Sequence, residues 1–233
     1  MTRTGFMTVA VGLLLLGSLA ACSEPPSGGA PQDVPRDDVI SLEGVEIREY
    51  EGANLGSVSD FRENSIAGPQ QVDRETYRLV VSGLVGEPAE YTYSEVASDH
   101  ASYKKVVTLD CVEGWSVTIL WQGVLVRDIL EEVAPQPTAN TVILRAVDGY
   151  STMFPIEYFY DNDILLAYSM NGVTLPPVRG FPFQLVAEDK WGYKWIKWVA
   201  EIELSDDENY QGYWESRGYS DSGDRDKNFY DGN

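Results

Sequence analysis

The chain has 233 residues, with 37 Asp and Glu against 17 Lys and Arg, a formal net charge of −20, and 43% hydrophobic residues. That length and apolar share suffice for one domain with a sizeable core. The charge argues against nucleic acid, whose phosphates are bound through Lys and Arg, and against adsorption to an anionic membrane surface.

Residues 1–21 read as an export signal. Arg3 supplies the positive start, Val9 to Leu16 form an apolar run too short for a comfortable membrane span, and small residues follow. The run ends in Leu19-Ala20-Ala21-Cys22, which has the form of a bacterial lipobox, whose cysteine becomes the acylated N-terminus. The expectation is a protein lipidated at Cys22 and tethered to the cell membrane or envelope, facing outward into the periplasm or at the cell surface. Residues 22–60 read as a spacer. Ser23 to Asp38 is rich in Pro, Gly, Ser and Asp and cannot bury enough apolar surface to fold. Beyond it the pattern is weak, with one short strand at Val45-Glu46-Ile47.

The folded domain is expected over residues 61–205. Glu75 to Val85 alternates apolar and polar residues and turns at Gly86 and Pro88, which predicts a strand. Tyr91 to Ala97 reads as a short helix. Val106 to Leu109 and Ser116 to Leu120 are strands, with Gly114 turning the chain between them. Leu125, Ile129, Leu130 and Val133 share a helix face that stops at Pro135. Thr141 to Val147 is a strand ending at Asp148-Gly149-Tyr150, and Ile156 to Tyr160 a helical turn. Ile164 to Tyr168 and Val173 to Leu175 flank Asn171-Gly172, a strong hairpin signal. Phe183 to Val186 is a strand, and Ile196, Trp198, Ala200, Ile202 and Leu204 alternate along a last one. Many short strands and few helices predict an α+β domain of mixed sheets with a few short helices. Residues 206–233 turn acidic and aromatic, and a loosely ordered tail is expected there.

With Cys22 assigned to the signal, Cys111 is the one cysteine left for the domain. It falls between a strand and a turn, and it reads either as a buried small apolar residue or as a soft metal ligand. The chain has one histidine, His100, in a polar loop. Zinc clusters, haem attachment and Ser-His or Cys-His hydrolysis are therefore implausible. No Gly-rich nucleotide loop sits on a strand-to-helix turn.

Several motifs follow one another: Leu109-Asp110-Cys111-Val112-Glu113-Gly114-Trp115-Ser116, Trp121-Gln122-Gly123-Val124, Asp148-Gly149-Tyr150, Leu165 to Gly172, Leu175-Pro176-Pro177, Gly192-Tyr193-Lys194 and Gly212-Tyr213-Trp214-Glu215. In this order they resemble the sulfite oxidase superfamily, the oxidoreductase molybdopterin-binding domain. The likeness is greatest to the branch of the periplasmic methionine sulfoxide reductase catalytic subunit. It covers roughly residues 64–220.

The resemblance implies a molybdenum-molybdopterin cofactor with Cys111 as the one protein ligand to the metal. It implies catalytic roles for Cys111, for Glu113 as a proton donor and for Tyr150 as a hydrogen-bond donor to substrate. On the residues alone, Glu113 is equally a solvated turn carboxylate, and Asp148-Gly149 more commonly serves a turn. Asn64, Asp148, Arg179, Gln184, Gly192, Tyr193 and Lys194 match cofactor-binding positions, with Lys194 and Lys197 the expected cations. Trp191, Tyr193, Trp195 and Trp198 read as aromatic core for at least half of them. Where the branch has Asn and then Arg five residues later, this chain has Arg179 and Gln184. Arg217 either reaches an anionic substrate or pins the tail.

The reading that follows is a lipid-anchored enzyme performing two-electron oxygen-atom transfer on a small molecule, by sulfoxide or N-oxide reduction or sulfite oxidation. Electrons are exchanged with a separate redox protein such as a membrane cytochrome. The alternative is a non-catalytic envelope binding domain on the same fold, suggested by Gln184 in place of arginine.

Overall fold

The computed structural model describes residues 44–230 together with Met1. The expected export signal, Cys22 and most of the expected spacer lie outside the described residues.

The elements run β1 (Glu49–Tyr50), β2 (Ala53–Asn54), β3 (Arg78–Gly83), β4 (Ala89–Thr92), α1 (Tyr93–Asp99), β5 (Ser102–Asp110), β6 (Ser116–Leu125), α2 (Val126–Glu132), β7 (Thr141–Ala146), β8 (Ser151–Pro155), α3 (Glu157–Asp161), β9 (Leu165–Met170), β10 (Val173–Thr174), β11 (Gln184–Val186) and β12 (Val199–Ser205). Two five-stranded sheets carry the domain. One has the order β10-β9-β6-β5, with β11 also on β9; the other has the order β4-β3-β12-β7-β8. Only β12 with β3 pairs in parallel among the described strands. With three short α-helices beside these sheets, the α+β expectation holds.

Local chemistry explains the elements. Thr92 caps α1 through its hydroxyl, and Glu95 returns the bond to the Thr92 backbone, a reciprocal cap. Asn171 and Gly172 both have positive φ, 48° and 79°, as a two-residue hairpin turn requires. Asn171 is fully buried and knits three segments. Its Oδ1 accepts from Leu120 N at 3.0 Å, and its Nδ2 donates to Glu46 Oε1 at 3.0 Å and Gly56 O at 2.8 Å. One core joins the facing sheets, with Trp121, Phe154, Phe159, Phe183 and Leu144 all but inaccessible.

Two regions differ from expectation. Residues 44–60 hold the β1–β2 pair and are pinned: Glu46 accepts from Val58 N at 2.8 Å, and Ile47 N bonds Asn171 O at 2.9 Å. The stretch after Ser205 is ordered as well. Tyr213 N bonds Ser151 O, Trp191 N bonds Gly223 O, and Ser220 N bonds Phe229 O. Its aromatics pack on one another and on the domain, Tyr219 against Tyr193 at 5.1 Å and Trp191 against Phe229 at 5.7 Å. An acidic composition signalled disorder, but the aromatic side chains supply the apolar area that fixes it.

Candidate active site

β5 and β6 form a hairpin in register from Ser102–Val124 to Asp110–Ser116, and its closing loop is 111–115. Cys111 N bonds Trp115 O at 2.9 Å and Gly114 N bonds Cys111 O at 3.0 Å. Gly114 has φ 82°, which L side chains rarely adopt. This turn projects Cys111 from the end of a rigid strand.

Two adjoining hollows meet there, sharing Asn64, Cys111, Gly192, Trp195 and Lys197 on their walls. The larger encloses about 160 Å³. Asn64 Nδ2 lies 3.8 Å from Cys111 Sγ on one side, and Glu113 Oε2 lies 3.9 Å away on the other. Glu113 Oε2 also accepts from Trp115 Nε1 at 2.9 Å. Burial pushes the Cys111 thiol up to about 11, so the metal-free residue is a protonated, unreactive thiol.

The other expected residues divide. Asp148 lines the larger hollow and accepts from Tyr150 N at 3.0 Å. Tyr150 and Tyr193 line it too. The Tyr150 hydroxyl, held protonated by burial, donates to the Tyr193 carbonyl and so is already engaged. Arg179 and Gln184 line the smaller hollow. Arg179 donates to Val58 O at 2.8 Å and Phe61 O at 3.1 Å, and its guanidinium stands 5.0 Å from the Phe61 ring centre. Burial lowers its pKa to about 10, and it stays charged at neutral pH. Gln184, buried on β11, makes no side-chain hydrogen bond to protein among the described residues. Gly192 borders both hollows; an added Cβ would stand 3.4 Å from Cys111 Cα.

Lys194 does not reach the cleft. Its ammonium is fully buried and donates to Met153 O at 2.7 Å, Glu215 Oε1 at 2.8 Å and Asp221 O at 2.9 Å. Lys197, three residues on, lines both hollows instead. Arg217 lines neither hollow; it bonds Tyr213 O and stacks 3.7 Å over the Tyr213 ring, contacts local to the tail. His100 lies against Glu132, 3.2 Å away, and lines neither hollow.

Tyr219, which the motif reading passed over, lines the larger hollow with Trp214. Burial raises its pKa, with Tyr230, Cys111 and Glu113 adding to the effect. It is a protonated hydroxyl in the electrostatic neighbourhood of the thiol. Its signal was the Gly212-Tyr213-Trp214-Glu215 motif, whose continuation runs to Tyr219.

The sequence pattern of the oxidoreductase molybdopterin binding domain matches residues 66–214. The chain belongs to this family. It is therefore a molybdopterin-dependent oxidoreductase. It is similar to the oxidoreductase YuiH of Bacillus subtilis, 36% identical over 157 residues, which are 67% of this chain and 78% of that one. It is similar also to the protein-methionine-sulfoxide reductase catalytic subunit MsrP of Gluconobacter oxydans, 28% identical over 149 residues, 57% of this chain and 48% of that protein. The chain thus spans about half the length of that subunit. Among solved structures, the sulfane dehydrogenase SoxCD from Paracoccus pantotrophus shares the fold, with a TM-score of 0.59 and 22% identity over 66% of this chain and 43% of that one.

The cleft fits the family's cofactor. Among the described residues no three His, Cys, Asp or Glu side chains converge, so a metal held by Cys111 would need further ligands from a non-protein group. Gly192 lets its segment pack close against the Cys111 backbone, where a Cβ would stand 3.3 Å from Asp110 O and 3.4 Å from Cys111 Cα. Gln184, which raised the binding-domain alternative, faces a hollow that Arg179 already charges.

Proposed function

We propose that this enzyme transfers an oxygen atom to or from a small substrate in the cleft at Cys111, exchanging two electrons with a separate redox protein such as a cytochrome. The observation that carries the reading is the placement of the Cys111 sulfur on the wall of both hollows, between Asn64 and Glu113. The names of relatives such as MsrP support the reducing direction.

Cys111 would hold the metal, with Arg179 and Gln184 on the acidic end of the pterin and Asn64, Asp148, Gly192 and Tyr193 along it. The bound cofactor supplies a centre that cycles between oxidation states two electrons apart. In the reducing direction the sulfur–oxygen bond breaks, the sulfur is reduced, and the oxygen leaves as water with two protons and two electrons. For an N-oxide the nitrogen takes the place of sulfur; sulfite oxidation runs the other way, with water giving the oxygen and releasing two protons. The chain's task is to place the substrate and move those protons. Glu113 is exposed at the rim and held by Trp115, so it can exchange protons with solvent and pass them inward. Tyr219 can donate a hydrogen bond to the substrate oxygen. Tyr219→Phe is expected to lower turnover by roughly 100-fold with molybdenum content unchanged. Unaltered turnover would assign the work to Glu113 alone.

The test of the reading as a whole is elemental analysis of the exported protein with a substrate screen using artificial electron donors and acceptors. About one molybdenum per chain with turnover of a sulfoxide, an N-oxide or sulfite is expected. A loaded protein inert to all three classes would sink it.

The Leu19-Ala20-Ala21-Cys22 motif supports a lipid tether on the outer side of a membrane, with Ser23 to Asp38 as spacer ahead of the cofactor domain. No helix among the described residues is long and apolar enough to cross a membrane. Cys22→Ala is expected to release the protein into the soluble fraction; retention on the membrane would remove the tether.

A further inference from the structure

Residues 219–230, at the end of the tail, close on themselves. Tyr219 and Tyr230 face each other in an isolated antiparallel bridge, and Ser220 N bonds Phe229 O at 3.0 Å. A surface loop whose ends meet in this way is an Ω-loop, packed by its own side chains into one unit. It joins the rest of the tail at Gly218, whose φ of 90° ends the short turn Glu215–Arg217.

The loop starts on the cleft and reaches back to it. Tyr219 lines the larger hollow, and half-exposed Arg225 donates to Asp110 Oδ2 at 2.8 Å, one residue before Cys111. Asp224 pairs across to Lys190 and, within the loop, to Lys227 at 2.7 Å. Burial works against the Asp224 carboxylate, but the two lysines hold it well below the usual carboxylate range. Behind these pairs, the carbonyls of Ser220, Asp221 and Gly223 accept from Tyr193, Lys194 and Trp191.

Other walls of the cleft are fixed more firmly. Cys111 ends the β5–β6 hairpin. Asn64 belongs to a segment tied by the largely buried pair of Glu63 with Lys197 and by Arg179 at Val58 and Phe61. With the Ω-loop in place the larger hollow encloses about 160 Å³, against roughly 300–1,000 Å³ for ligand sites. A group the size of a pterin enters only if a wall moves, and exposed ion pairs are the weakest of these holds.

We propose that residues 219–230 are a lid, hinged at Gly218 and latched at Asp224 and Arg225, that opens to admit the family's cofactor to Cys111. This rests on the placement of the cofactor at Cys111 given above.

Cys111 itself reports the opening. In the full-length chain carrying Cys22→Ala and produced without the cofactor, it is the one thiol. Its labelling is timed with iodoacetamide, small enough for the closed hollow, and with a maleimide carrying a bulky dye, which is not. Asp224→Asn releases the latch and is expected to speed the dye by about fivefold, with iodoacetamide unchanged. Lys190→Cys/Asp224→Cys locks it, since facing residues of an antiparallel bridge have Cα atoms roughly 4.5–5.5 Å apart, within the span of a disulfide. The oxidised double variant is expected to take the dye at least roughly tenfold more slowly than wild type, again with iodoacetamide unchanged. A locked protein labelled by the dye at the wild-type rate overturns the proposal. So does an Asp224→Asn protein in which both reagents speed up together, which marks general loosening. In molybdenum-loaded protein the same lock is expected to slow loss of the metal by a similar factor, read by elemental analysis. A chain whose dye labelling obeys the lock but which never retains molybdenum would leave the lid standing and sink the cofactor placement.

Discussion

Cys111→Ser is expected to abolish molybdenum binding and turnover together. Burial holds the thiol near 11, so occupancy by a metal must pull off its proton, and a soft, readily deprotonated sulfur permits that. A serine hydroxyl in the same buried place is harder and far less acidic. Losing a partner that merely orients a ligand commonly costs about 10- to 100-fold in metal affinity, and the ligand itself should exceed that. The measurement is molybdenum per chain by elemental analysis, with circular dichroism to show that the fold remains. A folded serine variant that kept both metal and activity would remove Cys111 from the centre of the site. So would a variant of Glu113 or Asn64 that stripped the metal while Cys111→Ser did not.

The hairpin that carries this sulfur was legible in the sequence for a local reason. Alternation on both strands and a glycine between them specify the turn without any knowledge of the tertiary structure, and the register follows from Asp110 opposite Ser116. Asn171-Gly172 was legible in the same way. Which lysine faces the cleft was not. Lys194 and Lys197 are three residues apart, and sequence offers no rule for choosing between them in an irregular stretch. Residues Gly192–Lys194 form a single tight turn, and Trp198 has φ 52°, so the period of a strand does not apply there. What decides is Glu215, whose buried carboxylate takes Lys194 away from the cleft. Its position in the fold is set by a tail that composition marked as loose. The same tail brings Tyr219 to the cleft, and the sequence signal near it had drawn attention to Arg217 instead. Long-range packing, which neither period nor propensity encodes, set both outcomes.

The buried pair that misled the reading should also be the tail's anchor. Lys194→Met is expected to destabilise the domain by about 3–5 kcal/mol, because it leaves the Glu215 carboxylate buried without its counter-charge. The pair has few substitutes at hand. Glu215 Oε1 accepts from Thr152 Oγ1 at 2.6 Å and from Lys194, while Oε2 has no hydrogen-bond partner among the described residues. Removing the ammonium would therefore leave one hydroxyl on a fully buried charge. Against a total stability of about 5–15 kcal/mol for a domain of ordinary size, such a loss is a large fraction, and the melting temperature should fall by roughly 6–20 °C. The tail should loosen first, since Lys194 also bonds Asp221 O, beyond Tyr219 in the chain. Proteolysis within 206–230 should then precede global unfolding, and Trp214 and Tyr219 should leave the cleft wall. Replacing both partners, Lys194→Met with Glu215→Leu, removes the stranded charge and is expected to recover most of the lost stability. A Lys194→Met protein within about 1 kcal/mol of wild type, with an equally resistant tail, would show that aromatic packing alone holds residues 212–230 against the domain.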